Sequence, residues 1–260
     1  MSKDDVNIVA AQGFAQAATA YEQGRPSYPN EAIQWIKTLC QNFDTIVDLG
    51  AGTGKFTRLL DCFGAREIIA IEPVLAMRET LKSIPLITKI VDGTAEHIPL
   101  DDHTVDMIIC AQSFHWFANH RALEEFHRVL KSTGVLVLIW NTSDHSGREW
   151  ADNITKYVDS FKPNEAPRYR EMLWKSAFDS QKFFSPVLFK QFANEQRVTR
   201  DLIIQRILST SYIAALPSER KTKLIEEVEK MLDQVEEIRH VEDFVIQHQT
   251  DVYWCSPLHS

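Results

Sequence analysis

The run IVDLGAGTGKFTRLL, Ile46 to Leu60, limits what this chain can fold into more than any other stretch. Its first residues, Ile46 to Leu49, form a short apolar run of the kind that makes a buried parallel strand. Gly50, Gly52 and Gly54 follow in alternation, and then Phe56, Leu59 and Leu60 recur at helical spacing. Strand, glycine turn and helix open a doubly wound α/β sheet, in which ligands sit at the carboxyl ends of the strands. Glycines let the backbone bend sharply and approach a ligand without a Cβ in the way. A phosphate-binding P-loop needs Gly, four residues, then Gly-Lys-Ser/Thr; here Phe56 follows Gly54-Lys55, and Leu49 stands where the first glycine belongs. A dinucleotide fingerprint needs a small residue at its sixth place, which counted from Gly50 is Lys55.

What remains is Asp48-x-Gly50-Ala51-Gly52-x-Gly54, which resembles the first motif of the class I S-adenosylmethionine-dependent methyltransferases, in particular the methyltransferase type 11 family. The resemblance implies a Rossmann-like sheet of seven mostly parallel strands with the last antiparallel, N-terminal lid helices, and a helical insertion after strand five. It implies S-adenosyl-L-methionine as cofactor, with Asp48 and the turn through Ala51 holding its amino-acid end. Three other readings are kept beside it: a glycine turn that binds nothing, a nucleotide-dependent oxidoreductase with a degenerate fingerprint, and a catalytically silent cofactor-binding protein.

A second apolar strand, Glu67 to Ile71, ends in Glu72 and Pro73, 24 positions beyond Asp48. An acid at that place accepts hydrogen bonds from ribose hydroxyls in nucleotide-binding α/β folds, and Pro73 stops the strand so that Glu72 stays at its edge. A third strand over Thr88–Val91 leads into Asp92-Gly93-Thr94-Ala95-Glu96, a loop resembling the family region that meets adenine. Ala95 leaves room for a flat ring, Asp92 or a backbone amide can read its amine, and Glu96 is open to a local cap or ion pair. The fourth strand, Val105 to Cys110, runs into Gln112-Ser113-Phe114-His115-Trp116. In the family, the first of these faces the methionine part, and His115 and Trp116 would face the methyl acceptor. His115 is therefore the one catalytic candidate, as a base, against the alternative of a packed structural histidine. Arg128-Val129-Leu130-Lys131-x-x-Gly134 and the apolar run Val135–Trp140 match the family turn and fifth strand.

Before the sheet, Phe14, Tyr21, Arg25-Pro26 and Tyr28-Pro29 resemble the segment that precedes the first strand in the trans-aconitate methyltransferase subgroup. That segment reads either as a packing helix or as a lid. As a lid, it aims Tyr21 and Arg25 at the cofactor and Arg25 and Tyr28 at the acceptor.

A net charge of −8 and a pI near 5.6 argue against a nucleic-acid partner, and no apolar run is long enough for a membrane span. The expected partner is a small-molecule methyl acceptor, with a carboxylic acid first because Arg25 offers paired donors. Cys40, Cys62, Cys110 and Cys255 lack Cys-x-x-Cys spacing; with Cys62 and Cys110 in apolar patterns, buried thiols in a cytoplasmic protein are expected, and no metal site. One methyltransferase domain over 1–260 is expected: lid helices 1–43, cofactor-binding core 44–141, helical insertion 142–185, and C-terminal strands and helices 186–260. Within the last part, a sixth strand is read over Val187–Val198, helices over Asp201–Ala215 and Ser218–His240, and a seventh strand from Phe244 to Trp254.

Overall fold

The computed structural model describes residues 24–41, 43–143, 148–162 and 169–258. Tyr21 and Phe14 therefore lie outside the described residues. The seven strands are β1 (Thr45–Leu49), β2 (Glu67–Ile71), β3 (Lys89–Val91), β4 (Val105–Ala111), β5 (Leu130–Ser143), β6 (Leu188–Val198) and β7 (Phe244–Cys255). They form one sheet in the order β3-β2-β1-β4-β5-β7-β6. The pairs β1–β2, β1–β4, β2–β3 and β4–β5 are parallel, and β7 is the antiparallel strand. Across β6 and β7, Gln191 Nε2 donates to Asp251 Oδ1 (2.7 Å) and Gln247 Nε2 to Glu195 Oε1 (2.9 Å), so one residue number rises as its partner's falls.

Every residue of β1 is buried, as a central parallel strand covered on both faces must be. Its side chains alternate between two cores. Val47 and Leu49 join Ile69, Ile108, Phe114, Phe126 and Trp140 on one face, while Ile46 joins Ile68, Met107, Ile33 and Ile36 on the other. The order of strands reverses between β1 and β4. That reversal opens the crevice in which doubly wound folds bind ligands.

The helices that cover the sheet follow their sequence periodicity. Helix α1 (Asn30–Lys37) buries Ala32, Ile33 and Ile36, and α2 (Leu75–Leu81) buries Met77 and Leu81. Helix α3 (His120–Val129) buries Ala122, Leu123, Phe126 and Val129, and Asn119 Oδ1 caps it by accepting from Ala122 N at 3.0 Å. Two local expectations are corrected. The stretch after the glycine turn winds as a 3-10 helix, Thr57–Phe63, and Lys131 to Gly134 belong to β5, whose first residue Leu130 already pairs with Val105. Cys62 is exposed, its Sγ 3.3 Å from Leu59 O, because the tighter 3-10 winding turns it off the buried face held by Thr57, Leu60 and Phe63. Cys110 and Cys255 are buried.

The chain divides into two compact units. Among the described residues, the sheet unit comprises 28–41, 43–142, 169–192 and 250–258; the helical unit comprises 24–27, 143, 148–162 and 193–249. In the helical unit, α4 (Glu149–Asp159), α5 (Arg200–Leu208), α6 (Ser211–Ala214) and α7 (Ser218–Asp233) gather Ile154, Val158, Ile203, Ile207, Leu224 and Val228 into a core of their own. No helix among the described residues is long and apolar enough to cross a membrane.

In the sheet unit, Arg128 pins the loop that follows β3. Its guanidinium pairs with Glu125 (2.7 Å) and Asp102 (2.6 Å) and donates to Ile98 O and Leu100 O, both at 2.9 Å. Replacing Arg128 by alanine strands two carbonyls and the Glu125 carboxylate, which also accepts from Ile98 N. The expected loss is ~1.5–3 kcal/mol, the range for hydrogen bonds to a charged group, read as a lower urea midpoint at unchanged slope. An unchanged midpoint would show that the loop holds itself.

Candidate active site

The turn leaving β1 is tied to the end of β2 by backbone bonds: Gly50 N and Ala51 N both donate to Ile71 O, at 2.8 and 3.2 Å. Gly50, Gly52 and Gly54 have φ of +69°, +59° and +80°, left-handed values that side chains resist. Their surroundings differ. A Cβ on Gly50 would lie 2.8 Å from Ser113 Cβ, whereas a Cβ on Gly52 would meet nothing nearer than Met77 Sδ at 3.9 Å. Gly50 is thus closed by its own fold, and Gly52 faces open ground.

Two buried carboxylates stand behind this turn. Asp48 is fully buried; Thr57 Oγ1 donates to its Oδ2 at 2.6 Å, and its Oδ1 has no partner. Burial, reinforced by the charge of Glu72 and opposed by the Thr57 hydroxyl, pushes its carboxyl up to about 7. Thr53 Oγ1 is likewise buried without a partner. Glu72 receives Gly52 N on Oε2 and Val74 N on Oε1, each at 2.9 Å. Burial raises its pKa against the pull of those two amides and of Arg78. Pro73, half-buried, separates Glu72 from the amide it accepts.

The loop after β3 is placed by the same arginine that braces β2. Arg78 donates to Glu72 O (2.8 Å) and pairs with the exposed Asp92 (2.9 Å). Gly93 is tight, with a Cβ there lying 3.0 Å from Ile71 Cγ2. Thr94 bridges to His97 in a narrow turn, Ala95 is buried in the core, and Glu96 accepts from Asn119 Nδ2 at 2.8 Å, a local role that steadies the cap of α3.

At the end of β4, Gln112 has a left-handed φ of +58°, a strained conformation for a residue with a side chain. Its Nε2 donates to Asn141 O (3.1 Å), and Ser113 Oγ donates to Leu49 O (2.8 Å), which seats this turn against the glycine turn. His115 and Trp116 are half-buried, with ring centroids 5.3 Å apart. Trp140 Nε1 donates to His115 Nδ1 at 3.2 Å.

Tyr28 is buried, its ring edge-on to Phe56 at 4.9 Å. Arg25 is half-buried and falls in the helical unit. Several residues of the sheet unit were not singled out from the sequence: Trp140, Asn141, Tyr169, Thr250 and Asp251. Tyr169 stacks on Trp140 (4.4 Å, 19°), and its hydroxyl donates to Asp251 Oδ2 and lies 3.0 Å from Tyr253 Oη; burial and Asp251 push its pKa far up. Thr250 Oγ1 donates to Asn141 Oδ1 at 2.6 Å. Thr250 and Asp251 end a polar run, Gln247 to Asp251, inside the last strand, and that run was the available signal for them.

Residues 47–138 match the family model described as a methyltransferase domain. An uncharacterised methyltransferase-like protein of Schizosaccharomyces pombe is 32% identical over 239 residues, covering 91% of this chain and 92% of its own. The chain belongs to the class I S-adenosylmethionine-dependent methyltransferases. An uncharacterised methyltransferase of Mycobacterium tuberculosis is 35% identical over 219 residues, 84% of this chain and 85% of its own. Among solved structures, one assigned as a type II methyltransferase of Anaeromyxobacter dehalogenans superposes with a TM-score of 0.67 at 20% identity, covering 90% of this chain and 97% of that one. The cofactor of this methyltransferase is S-adenosylmethionine.

Asp48 gives the methyltransferase a pH signature that needs no ligand. Its folded pKa of about 7 lies above its ordinary 3.8, so the folded chain holds the proton more tightly than the unfolded chain. Stability from this group is full below about pH 4 and is lost as pH rises to about 7. Between pH 5 and pH 8 the wild type should lose ~2–3 kcal/mol that the Asp48→Asn variant keeps. Parallel pH profiles of the two proteins in urea would contradict the buried, protonated state.

Proposed function

We propose that this methyltransferase acts on a small molecule, with the oxygen of a carboxylic acid as the first candidate acceptor. For the cofactor, the reading assigns the amino-acid end to Asp48 and the turn Gly50-Ala51-Gly52 to Gly54, the ribose to Glu72 beside Pro73, the adenine to Asp92, Gly93, Thr94, Ala95 and Glu96, and the methionine chain to Gln112. The observation that carries it is the unpartnered Oδ1 of Asp48 behind a glycine turn whose Gly52 is open. A buried polar atom without a partner costs ~1–3 kcal/mol, and an ammonium group on a ligand relieves that cost while drawing Asp48 into its charged form. Each Glu72 oxygen keeps a second lone pair beyond the loop amide it accepts, which suits a pair of ribose hydroxyls.

When bound, S-adenosylmethionine supplies a sulfonium methyl group, open to in-line displacement by a nucleophile. The chain's residues then have to hold two reactants in line and exclude water, an effect that can be worth ~7–11 kcal/mol. The carboxylate preference is drawn from the described residues alone. Cys110 and Tyr169 are pushed up by burial and stay protonated at neutral pH, and His115 Nδ1 is already engaged by Trp140. A hydroxyl or amine must give up a proton during the transfer, whereas a carboxylate arrives as a nucleophile.

S-adenosylhomocysteine should raise the unfolding temperature of the pure protein and NADH should not. The gain is ~2.7 kcal/mol when ligand exceeds the dissociation constant 100-fold. Incubation with S-adenosylmethionine and a panel of small carboxylic acids should then yield a methylated product that mild base returns to the acid, as an ester must. A base-stable product would place the methyl on an atom other than a carboxylate oxygen and overturn the carboxylate reading.

A further inference from the structure

We propose that the hydroxyl of Thr53 is a hydrogen-bond donor to the carboxylate of the cofactor's amino-acid end. This deepens the assignment of that end to the glycine turn and rests on it.

Gly54 N donates to Ala51 O at 2.9 Å, which closes a four-residue turn around Gly52 and Thr53. Of these two, only Gly52 has a positive φ, as the first central residue of a type II′ turn does. The second central residue stands at the tip of such a turn, where a threonine hydroxyl ordinarily meets water. Thr53 is instead 2% exposed, and its Oγ1 has no hydrogen-bond partner among the described residues. A hydroxyl brings one donor and two lone pairs, and burying them unpaired has a cost that a valine of the same shape avoids. The unpaired hydroxyl stands next to Gly52, where a Cβ would meet nothing nearer than 3.9 Å.

The backbone of the turn is already spent. Gly50 N and Ala51 N both go to Ile71 O, Gly52 N to Glu72 Oε2 and Gly54 N to Ala51 O. A ligand carboxylate therefore cannot be held by those four amides while the turn keeps its shape, and a side-chain donor has to serve it. Arg58 Nη1 donates to Thr53 O at 3.0 Å, which fixes the tip peptide and brings a guanidinium to the residue with the unpaired hydroxyl. A cation a few ångström from a donor favours an anion on that donor. The buried carboxyl groups Asp48 and Glu72 have the opposite preference, and Asp48 Oδ1 is the unpaired acceptor.

The amino-acid end of the cofactor carries one ammonium and one carboxylate. The turn and the strand before it hold one buried acceptor and one buried donor to match, Asp48 Oδ1 for the ammonium and Thr53 Oγ1–H for the carboxylate. A bond to a charged oxygen is shorter and stronger than one between neutral groups, so a single hydroxyl gives useful hold on that end. A hydroxyl kept only to fill space and a hydroxyl kept for a ligand lead to different results. Valine fills the same space, so a filler can be replaced without effect on the ligand. A donor to the ligand cannot, and its removal improves the free protein while harming the complex.

Calorimetric titration of the full chain with two ligands reads the contact. S-adenosylhomocysteine carries the ammonium and the carboxylate; 5′-methylthioadenosine shares its nucleoside and sulfur and lacks both. In Thr53→Val the dissociation constant for S-adenosylhomocysteine should rise about ten- to hundredfold, the range for one hydrogen bond to a charged group. That for 5′-methylthioadenosine should stay within about threefold, as should both constants in Thr53→Ser, which keeps the hydroxyl. Ligand-free Thr53→Val should melt about 2–4 °C above the wild type. Wild-type affinity for S-adenosylhomocysteine in Thr53→Val would overturn the proposal, and so would an equal loss for the two ligands or a lower melting temperature. If Thr53→Val does not fold, Thr53→Ala also lacks the hydroxyl and carries the same expectation for both ligands. Wild-type protein that binds no S-adenosylhomocysteine would overturn the assignment of the turn itself, whereas the other failures leave that assignment standing.

Discussion

Glu72 is the clasp on which the site depends. Its two oxygens take one amide from the glycine turn and one from its own side of the crevice, and so bind the ends of β1 and β2 into a single rim. Charged acceptors make stronger hydrogen bonds than neutral ones, and burial keeps water from competing. The left-handed backbone at Gly52 is held in part by this bond. Arg78 extends the clasp to the third loop through Glu72 O and Asp92, so three loop ends at the switch point share one polar network. A second carboxylate, Asp48, sits behind that network with an oxygen left over.

The sheet was largely legible in the sequence because parallel strands buried on both faces must be continuous apolar runs. Ile46–Leu49, Glu67–Ile71 and Val105–Cys110 are such runs, and each lies within one to two residues of its observed strand. The glycine turn was legible for a related reason, since positive φ and close approach leave little choice of residue. The start of β5 was less legible, because Lys131 to Gly134 look like a turn; they fall in the register shift between the pairs Val105–Leu130 and Met107–Val135. The exposure of Cys62 followed from a 3-10 winding that apolar spacing alone does not specify.

The part proposed as the acceptor wall was the least legible. Gln112, His115 and Trp116 are adjacent in the chain and could be named from one segment. Trp140, Tyr169 and Asp251 come together from three distant segments, and nothing local to any of them signals the other two. Arg25 lies in the helical unit, and the segment before it that suggested a lid falls outside the described residues.

The central claim is that the open face of Gly52 is where S-adenosylmethionine lies, and one substitution isolates it. Gly52→Ala adds a methyl group that the fold itself has room for, at a backbone cost of ~1–2 kcal/mol for a left-handed residue. Calorimetric titration of the folded variant with S-adenosylhomocysteine measures what that methyl does to the ligand. The account predicts a protein that still folds cooperatively and whose dissociation constant rises more than tenfold, a loss above about 1.4 kcal/mol. Wild-type affinity in the folded variant would contradict it.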